Sequence, residues 1–463
     1  MAFLIGGANT LDDAYEISNS LRFEGGAATG LARFGNNSRN GNTFTISAWI
    51  KRAKLGRTEL FNSKVEDSGV NSPVMMFNSD DKLSVIGQPA SGTGAGGNRT
   101  VALTSAVYRD LSAWYHVVYR QDTTDGTAGN RHRIYVNGVE QTLGTNDALD
   151  QNVAFNYFYN ASSYPFAIAN DERDNSYGSF YIAEHHYTDG VSNGPDAFGE
   201  TNDNGVWIPK EYTGSHGSYG HYLKFENSGG GSGTTSIGGH DYTTGSSSTI
   251  GADSSGNDNH FHIQGYSAED NTTDTPTNNF CTWNPLVVRG GSDDLVYTEG
   301  NTGVSSNQHA TNNYTFGTQG FANGKWYWEV ECETVGGEMH IGIVDSGSST
   351  TGYPSTVRDY RNNGNKELDG GSATSFGNTY TDGDIIGVAV DLDNTSIYYS
   401  KNGTWQNSGD PESGSSKTGA AYTDISSTNF PNFVLPWVAG AGVNGGADMK
   451  AFANFGNAPF SIS

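Results

Sequence analysis

Residues 43–52 read TFTISAWIKR, and this segment decides the fold class. Apolar and polar side chains alternate through it, which is the period-two pattern of a β-strand with one face in a core. Two further segments of strand character follow, SAWYHVVYR at residues 112–120 and RHRIYVNGVE at residues 131–140. The last contains the pair Asn137-Gly138, which is typical of the reversal in a β-hairpin. The sequence therefore predicts three strands and a hairpin turn.

The composition of the whole chain indicates the same class. Its 463 residues include 63 Gly, 25 Tyr and 22 Phe, and 34% are hydrophobic. This balance is typical of many short strands joined by tight turns and packed with aromatic rings. Helical periodicity does not extend beyond one or two turns. We therefore predict an all-β protein, long enough for two or three hydrophobic cores.

The three opening strands also resemble a known domain. FTISAWIKR, AWYHVVYR and RIYVNGVE, at residues 44–52, 113–120 and 133–140, resemble the core of the laminin-G-like, concanavalin-A-type jelly roll. The resemblance implies two antiparallel sheets packed face to face. It also implies that one sheet, or the loops at its rim, can hold carbohydrate.

A second set of segments narrows this resemblance. YIAEHHYTDG at residues 181–190, FGETNDNGVWIPKEYTG at 198–214 and YLKFEN at 222–227 follow in order. Together they resemble laminin-G-like domains in virion proteins of tailed bacteriophages. The resemblance implies a tail-fibre, head-fibre or capsid-decoration role.

The last third of the chain resembles a SPRY domain, another bent β-sandwich. The segments are GKWYWEVE at residues 324–331, IGIV at 341–344, GDIIGVAVDLDN at 383–394, IYYSKNGTW at 397–405 and FPNFVLPWV at 430–438. The resemblance implies a binding module whose variable loops make the contacts.

These observations predict four regions. They are an N-terminal docking arm at residues 1–20, a jelly roll at 21–226, an ordered connector rich in Gly, Ser and Asn at 227–286, and a SPRY-like sandwich at 287–463. The arm begins with apolar residues, so it either docks against a neighbouring subunit or packs on its own domain.

Charge excludes several classes of partner. The chain has 25 Lys and Arg against 50 Asp and Glu, a net charge of −25, which would repel a phosphate backbone or an anionic membrane. No segment reads as a signal peptide or a membrane span. We therefore expect assembly in the cytoplasm of a host bacterium, with Cys281 and Cys332 reduced or buried.

Aromatic and arginine side chains in predicted loops are the candidates for ligand contact. Aromatic faces stack on the C–H surfaces of sugars, while nearby polar groups fix the orientation. The alternative for each tyrosine is a half-buried strand position or a contact between subunits. The candidates are Tyr157, Tyr159 and Tyr164 in the first domain, and Tyr353, Arg358, Tyr360 and Arg361 in the second.

Two loops offer the hard oxygen ligands that Ca²⁺ prefers. Loops rich in Asp, Asn and Gly are also ordinary turns held by side-chain-to-backbone hydrogen bonds, so both interpretations stay open. The candidate ligands are Asp171, Asp174 and Asn175 in one loop, and Asp253, Asn257 and Asp258 in the other.

Two patterns bear on catalysis. His185 and His186 are adjacent in a predicted strand, so they point to opposite faces and cannot chelate one ion together. Glu329, Glu331 and Glu333 alternate along one strand and share a face, with neighbours about 6.5–7 Å apart. Glycoside hydrolases place two carboxyls about 5–9.5 Å apart, but an exposed face of a SPRY strand would look the same. We predict no enzyme and keep a glycan-cleaving depolymerase as the alternative.

The resulting prediction is a non-enzymatic bacteriophage virion surface protein. Whether it is a fibre or a capsid-decoration subunit stays open. The expected partners are other virion proteins, reached through the N-terminal arm, and host-surface polysaccharide. Coiled-coil heptads are absent, so a homo-oligomer, with a trimer favoured, would form through β-faces or the arm.

Overall fold

The structure is a computed structural model. It describes residues 15–25, 29–33, 40–63, 74–87, 99–152, 166–171, 176–237, 240–266, 268–287, 295–306, 313–348, 354–441 and 449–456. Within these ranges the fold is all-β, as predicted, and two compact units separate between Asn279 and Phe280.

Helical structure in the described ranges is confined to 3₁₀ turns of three residues each. None approaches the length of about 20 residues with which a helix crosses a bilayer. The turns are Ala128–Asn130, Pro195–Ala197, Ala268–Asp270, Glu299–Asn301, Gln406–Ser408 and Gly414–Ser416.

The first unit is built from short strands. They are β1 (Ser20–Glu24), β2 (Gly30–Arg33), β3 (Thr43–Arg52), β4 (Thr58–Ser63), β5 (Val74–Phe77), β6 (Leu83–Gly87), β7 (Arg99–Thr104), β8 (Trp114–Asp122), β9 (His132–Val136), β10 (Val139–Glu140), β11 (Leu143–Asn146), β12 (Phe166–Ile168), β13 (Asn170–Asp171), β14 (Ser176–Tyr177), β15 (Ser179–Asp189), β16 (Gly199–Thr201), β17 (Trp207–Pro209), β18 (His221–Leu223), β19 (Thr234–Ile237), β20 (His240–Thr243), β21 (His262–Gln264) and β22 (Asn271–Thr272).

These strands form two main sheets. One has the order β10-β9-β8-β3-β15-β1-β22, with β18 also paired to β15. The other has the order β11-β7-β6-β5-β4-β12-β2-β21-β20-β19. Strand β3 lies antiparallel between β8 and β15, with Ile46 opposite both Tyr119 and Tyr187. The three strands and the hairpin predicted from the sequence are therefore confirmed as neighbours in one sheet.

The core of the first unit contains residues of both sheets. Phe44, Ile46 and Ile50 of β3 belong to the same buried cluster as Phe61 of β4 and Met75 of β5. This is the face-to-face packing of a β-sandwich.

The other face of β3 is buried as well, which the alternating pattern did not predict. Thr45, Ser47 and Lys51 are each almost completely inaccessible. Segments distant in sequence lie over this outer face and make a further layer. The expectation of a strand with one solvated face is therefore corrected.

The segment assigned to the connector contributes strands to the first unit. Residues 234–272 supply β19, β20 and β21 to the larger sheet and β22 to the smaller one, and the unit extends to Asn279. At the end of the predicted arm, the Ile17 amide donates to Thr277 Oγ1 at 3.1 Å. This described part of the arm packs on its own unit, while residues 1–14 lie outside the described ranges.

The second unit has its own strands. They are β23 (Leu295–Thr298), β24 (Gly303–Ser306), β25 (Asn313–Phe316), β26 (Lys325–Val335), β27 (Glu338–Asp345), β28 (Val357–Arg361), β29 (Asn365–Leu368), β30 (Thr374–Ser375), β31 (Asp384–Asp391), β32 (Ser396–Lys401), β33 (Thr404–Trp405), β34 (Val434–Ala441) and β35 (Met449–Asn454).

The second unit is also a two-sheet sandwich. One sheet has the order β23-β24-β35-β26-β31-β32-β33 and the other β25-β34-β27-β28-β29-β30. Trp328 and Val330 of the first sheet share a buried cluster with Ile341 of the second. Cys281 and Cys332 are buried free thiols of this unit, in agreement with the expectation.

Candidate binding sites

A pocket of about 400 Å³ opens on the outer face of the smaller sheet of the first unit. We call it the tryptophan pocket because Trp49, Trp114 and Trp207 line it, together with Asn137 and Tyr15. Trp49 and Trp114 come from adjacent strands, β3 and β8. Trp207 comes from the hairpin of β16 and β17, which lies over the sheet.

Two glycines make room for Trp207. A Cβ on Gly138 would lie 2.5 Å from the indole ring, and a Cβ on Gly199 would lie 2.6 Å from it. Gly138 also has a φ of +79° in the turn between β9 and β10, a conformation that glycine adopts readily. The turn and the hairpin are therefore shaped around this side chain.

His116 contacts two of the three tryptophan rings and fixes their positions. Its imidazole stacks on Trp49 at 4.8 Å between centroids and on Trp207 at 5.9 Å. The Trp207 indole N–H donates to His116 Nδ1 at 3.0 Å, so the imidazole proton is on Nε2, 2.8 Å from Ser47 Oγ. Burial, with a smaller effect of His186, lowers the pKa of His116 to about 3. The ring is therefore neutral and holds both indoles in place.

A buried ion pair between Lys51 and Asp274 supports the side of the pocket that contains Trp114 and Asn279. Lys51 Nζ lies 2.7 Å from Asp274 Oδ2, and the two side chains are 1% and 0% exposed. Asp274 also accepts the Trp114 indole N–H at 3.0 Å, and Lys51 donates to Asn279 Oδ1 at 2.8 Å. This network ties Trp114 to the segment that completes the pocket.

The pocket presents the half-buried ring of Trp207 and hydrogen-bond donors, whereas Trp49 and Trp114 are only 4% and 8% exposed. The indole N–H of Trp49 and the side-chain amide nitrogen of Asn137 have no hydrogen-bond partner among the described residues. The Asn137 side-chain oxygen is already used, because it accepts the His116 amide at 2.7 Å. No carboxylate occurs among the described lining residues. Such a surface suits binding of a neutral ring with hydroxyl groups.

A second cavity, of about 700 Å³, lies on the outer face of the larger sheet of the second unit. We call it the aromatic groove. Tyr327 of β26 and Trp405 of β33 line it, with Ala389 of β31 between their strands and the loop at residues 409–412 at one side. The two aromatic rings meet at 67° with centroids 6.3 Å apart.

Residues of the neighbouring strands fix the orientation of the Tyr327 side chain. Its hydroxyl donates to Glu329 Oε1 at 2.9 Å, and Glu329 Oε2 accepts from Asn454 at 3.1 Å. Burial and the Glu329 carboxylate raise the pKa of Tyr327. On β31, a Cβ at Gly387 would lie 2.7 Å from the Tyr327 hydroxyl. Glycine is therefore required there for the ring to stand in this position.

Three of the four predicted contact residues of the second unit are structural. Tyr360 is completely buried, and its hydroxyl donates to the Asn378 carbonyl. Arg358 is buried against Asp424, with its Nη2 2.7 Å from a carboxylate oxygen. All three predicted residues from 358 to 361 lie on strand β28, not in an exposed loop. These charged and aromatic residues in a Gly-rich region were predicted to lie in an exposed loop. The partners that bury them come from distant segments, which the local sequence does not show.

Arg361 has the same structural character. Its guanidinium pairs with Glu367 and lies 3.8 Å from Glu338. The remaining predicted contact residues, Tyr157, Tyr159, Tyr164 and Tyr353, lie outside the described residues. Those four therefore stay predictions.

One predicted Ca²⁺ loop is an ordinary turn. Asp253 accepts the Tyr222 and Ser255 amides with Oδ1, and the Ser255 hydroxyl and Asn259 amide with Oδ2, all at 2.8–2.9 Å. Both oxygens therefore accept hydrogen bonds from the protein, as in the ordinary turn that the sequence left open as the alternative.

The neighbours of Asp253 are engaged to different extents. Asn257 uses its side-chain nitrogen to bond the Gly217 and Gly220 carbonyls, and the Asp258 side chain is 93% exposed. In the other predicted loop, Asp174 and Asn175 lie outside the described residues, as does the side chain of Asp171. That loop remains a prediction.

The residues that line both cavities were missed as site residues. Trp49 is in phase with Thr45, Ser47 and Lys51 on the polar side of β3, so a large ring on that side was the available signal. Trp207 and Trp405 carry no such signal, because their strands are only three and two residues long.

Comparison with known families agrees with the two units. Residues 25–191 match the concanavalin A-like lectin/glucanases superfamily, and residues 325–447 match the SPRY domain. The chain therefore contains a concanavalin A-like domain followed by a SPRY domain, as the sequence resemblances predicted.

Individual relatives share only parts of the chain. Ran-binding protein 10 of Danio rerio is 29% identical over 145 residues, which is 30% of this chain and 20% of that protein. The SPRY domain of human HERC1 covers 39% of this chain and 99% of its own, at 16% identity and a TM-score of 0.28. A SAP-like pentraxin from Limulus polyphemus covers 39% and 81%, at 18% identity and a TM-score of 0.28.

Proposed function

We propose that the protein is a non-enzymatic recognition protein that binds carbohydrate through the tryptophan pocket. The observation that carries this proposal is the set of three tryptophans, held by His116 and the Lys51–Asp274 pair, beside two hydrogen-bond donors that have no partner among the described residues. Rigid ring faces lose little entropy on binding, and the donors can orient sugar hydroxyls.

We further propose that the protein acts on the surface of a bacteriophage virion, as a fibre or capsid-decoration subunit. Support comes from the phage-like segments at residues 181–190, 198–214 and 222–227. In this proposal the chain assembles in the host bacterial cytoplasm as a homo-oligomer, with a trimer favoured. The N-terminal arm contacts other virion proteins, and the pocket contacts host-surface polysaccharide.

Calorimetric titration with oligosaccharides from the host surface tests the pocket. Trp207→Ala should lower the affinity by about tenfold or more, because a stacked ring contributes roughly 1–3 kcal/mol. Trp405→Ala, in the other unit, is the matched control and should leave the affinity unchanged. Equal sugar affinity in wild-type protein and Trp207→Ala would reject the pocket as the sugar site.

Quantitative mass spectrometry of purified virions tests the location. A high copy number, comparable to that of the capsid protein, would indicate decoration, whereas a low number would indicate a fibre. Absence of the protein from intact virions would reject the virion role and leave the sugar-binding proposal standing on its own.

One observation favours the alternative of a depolymerase. Burial and the neighbouring Glu333 carboxylate raise the pKa of Glu331, the direction that a general acid needs. Its strand neighbours are already engaged, Glu329 with Asn454 and Glu333 with Lys450 at 2.6 Å. Release of reducing ends from host polysaccharide that is lost in Glu331→Gln would support this alternative. Release that persists in the variant would show that Glu331 is not the catalytic acid.

A further inference from the structure

We propose that the aromatic groove of the second unit binds an organic ammonium group carried by a larger ligand. This site is separate from the tryptophan pocket and takes a different class of ligand.

Two aromatic rings of the groove can contact the same ligand group. Tyr327 and Trp405 meet edge to face at 67° and both line the groove, so a group held there lies beside both rings. The face of an aromatic ring attracts a cation within about 6 Å of its centroid. The Tyr327 hydroxyl is bonded to Glu329, which keeps the ring from turning away.

The lining of the groove has more acidic than basic side chains. Lys325 is the only cationic side chain among the described lining residues, and it lies 3.2 Å from Asp391. This pair leaves Asp410 and Glu412 in excess at the side of the groove. Neither carboxylate is paired with a cationic side chain in the described part of the chain. The groove is therefore complementary to a positive ligand.

The loop holds these carboxylates in a defined arrangement. Asp410 Oδ1 accepts the Glu412 amide at 3.0 Å, and the Asp410 amide donates to the Thr418 carbonyl at 3.0 Å. The second oxygen of Asp410 stays available to a ligand. Because the volume is about 700 Å³, an ammonium head occupies only part of it and the rest accommodates its carrier.

The same unit already contains this type of contact. Lys366 Nζ lies 4.9 Å from the centroid of the Tyr422 ring and 5.7 Å from that of Phe376. An ammonium between two rings is thus compatible with the local chemistry of this sandwich.

Calorimetric titration of the full chain tests the proposal with two probes of the same shape. Choline carries the quaternary ammonium, and 3,3-dimethyl-1-butanol replaces its nitrogen with carbon. We expect choline to bind roughly 2- to 30-fold more tightly, the factor that a cation–π attraction of about 0.5–2 kcal/mol gives. Added salt should weaken choline binding and leave the neutral probe unaffected.

Variants assign the binding to the groove. Trp405→Leu should weaken choline binding about tenfold, while Trp405→Phe, which keeps a ring, should retain most of it. Asp410→Asn with Glu412→Gln should remove most of the salt dependence. Trp207→Ala is the control and should bind choline like the wild type. Thermal melting of each variant confirms folding.

Three results would overturn the proposal. These are equal affinities for the two probes, choline binding that survives in folded Trp405→Leu, and displacement of choline by an uncharged oligosaccharide at the groove. The last result would make the groove a second glycan site. None of these results bears on sugar binding by the tryptophan pocket, so the two proposals fail independently.

Discussion

The sequence assigns Lys51 to the correct strand but predicts the wrong environment for its side chain. Its position on the polar side of β3 predicts contact with water, yet the structure buries it beside Asp274 and Asn279. An ammonium in such a place is stable only with its partner, because an unpaired buried charge is costly. The ion pair therefore holds the outer layer of the first unit onto the sheet.

Removing the partner of Lys51 should destabilise the first unit strongly. Asp274→Ala leaves a buried charge unpaired and the Trp114 indole N–H without its acceptor, so we expect a loss of about 3–5 kcal/mol in the free energy of unfolding. Urea unfolding measures this loss. Glu200→Gln, which breaks the exposed pair with Lys210 at 3.8 Å, is the control and should change stability by less than about 1 kcal/mol. Similar small losses in both variants would contradict the buried network.

Asp253 provides a test of the Ca²⁺ hypothesis at the level of one carboxylate. Because it accepts four hydrogen bonds from its own loop and from Tyr222, Asp253→Ala should cost about 1–3 kcal/mol. The loss, measured by thermal melting, should be the same with added Ca²⁺ and with a chelator. A loss that appears only with Ca²⁺ would show that the carboxylate serves a bound ion.

At the scale of secondary-structure elements, two Asn-Gly turns have similar backbones but differ in what surrounds the glycine. Gly138, between β9 and β10, and Gly403, between β32 and β33, have φ values of +79° and +76°. A Cβ at Gly403 would meet nothing within 4 Å, whereas one at Gly138 would meet the Trp207 ring. The two turns therefore share a left-handed backbone at glycine, where a Cβ would be strained, but differ in the contact with the pocket.

Alanine at these two glycines separates the two effects. Gly403→Ala should cost about 1–2 kcal/mol through backbone strain alone. Gly138→Ala should cost a further 1–3 kcal/mol, roughly, because the methyl group displaces Trp207, and it should also weaken sugar binding. Denaturant unfolding and sugar titration give both quantities. Equal costs, with sugar affinity retained in Gly138→Ala, would show that the turn does not position the pocket.

Strand β15 carries histidines on both faces. His185 lies 3.0 Å from His221 on the core side, and His186 lies 3.1 Å from His216 on the outer side. Burial, followed by the charge of His186, lowers the pKa of His185 to about 3 and that of His216 to about 4. Burial also lowers the pKa of His221. The opposite orientation of the adjacent pair agrees with the sequence prediction.

These shifts make the first unit sensitive to acid. An unfolded histidine has a pKa near 6.5, so below that pH the unfolded chain binds protons that the folded chain does not. The stabilisation is complete above about pH 6.5 and decreases as the pH falls toward 4. Each such histidine can contribute up to about 1.4 kcal/mol per pH unit over this interval.

The second unit should show no matching loss. Burial lowers the pKa of His340, but hydrogen bonds to Asp359 and Glu338 outweigh burial and raise it above its usual value. The stabilisation from His340 is therefore present below about pH 6.5 and is lost as the pH rises through the folded pKa. Histidine titration thus acts in opposite directions in the two units.

Urea unfolding at about pH 7.5 and about pH 5, read by pulse proteolysis and mass spectrometry, follows the two units separately. The midpoint of the first unit should fall at the lower pH, and that of the second should not. His216→Gln should reduce the fall because one of the titrating groups is removed. Equal decreases in both units would show that the histidines do not control the pH dependence.

For the whole molecule, the sequence predicted the fold class and the main strands. Predicted strand 43–52 coincides with β3, and predicted strand 179–190 differs from β15 by one residue. Both strands alternate clearly and are long, so local pattern was sufficient. The SPRY-like segments succeeded for the same reason, since each overlaps a strand of the second sandwich that has buried residues.

The binding cavities could not be predicted because they are made by contacts between distant segments. The tryptophan pocket brings residue 15, the strands near residues 49 and 114, the hairpin near residue 207 and the segment at 276–279 together. No local pattern indicates that a polar strand face will be covered in this way. Conversely, Arg358 and Tyr360 looked exposed because their partners, such as Asp424 and Asn378, are far along the chain.

The central claim is that the molecule recognises carbohydrate without altering it. Size-exclusion chromatography of host polysaccharide after incubation with the protein tests this claim most directly. We predict that wild-type protein co-elutes with polysaccharide of unchanged length and that Trp207→Ala does not co-elute. A shift of the polysaccharide to shorter lengths, or co-elution that persists in Trp207→Ala, would contradict it.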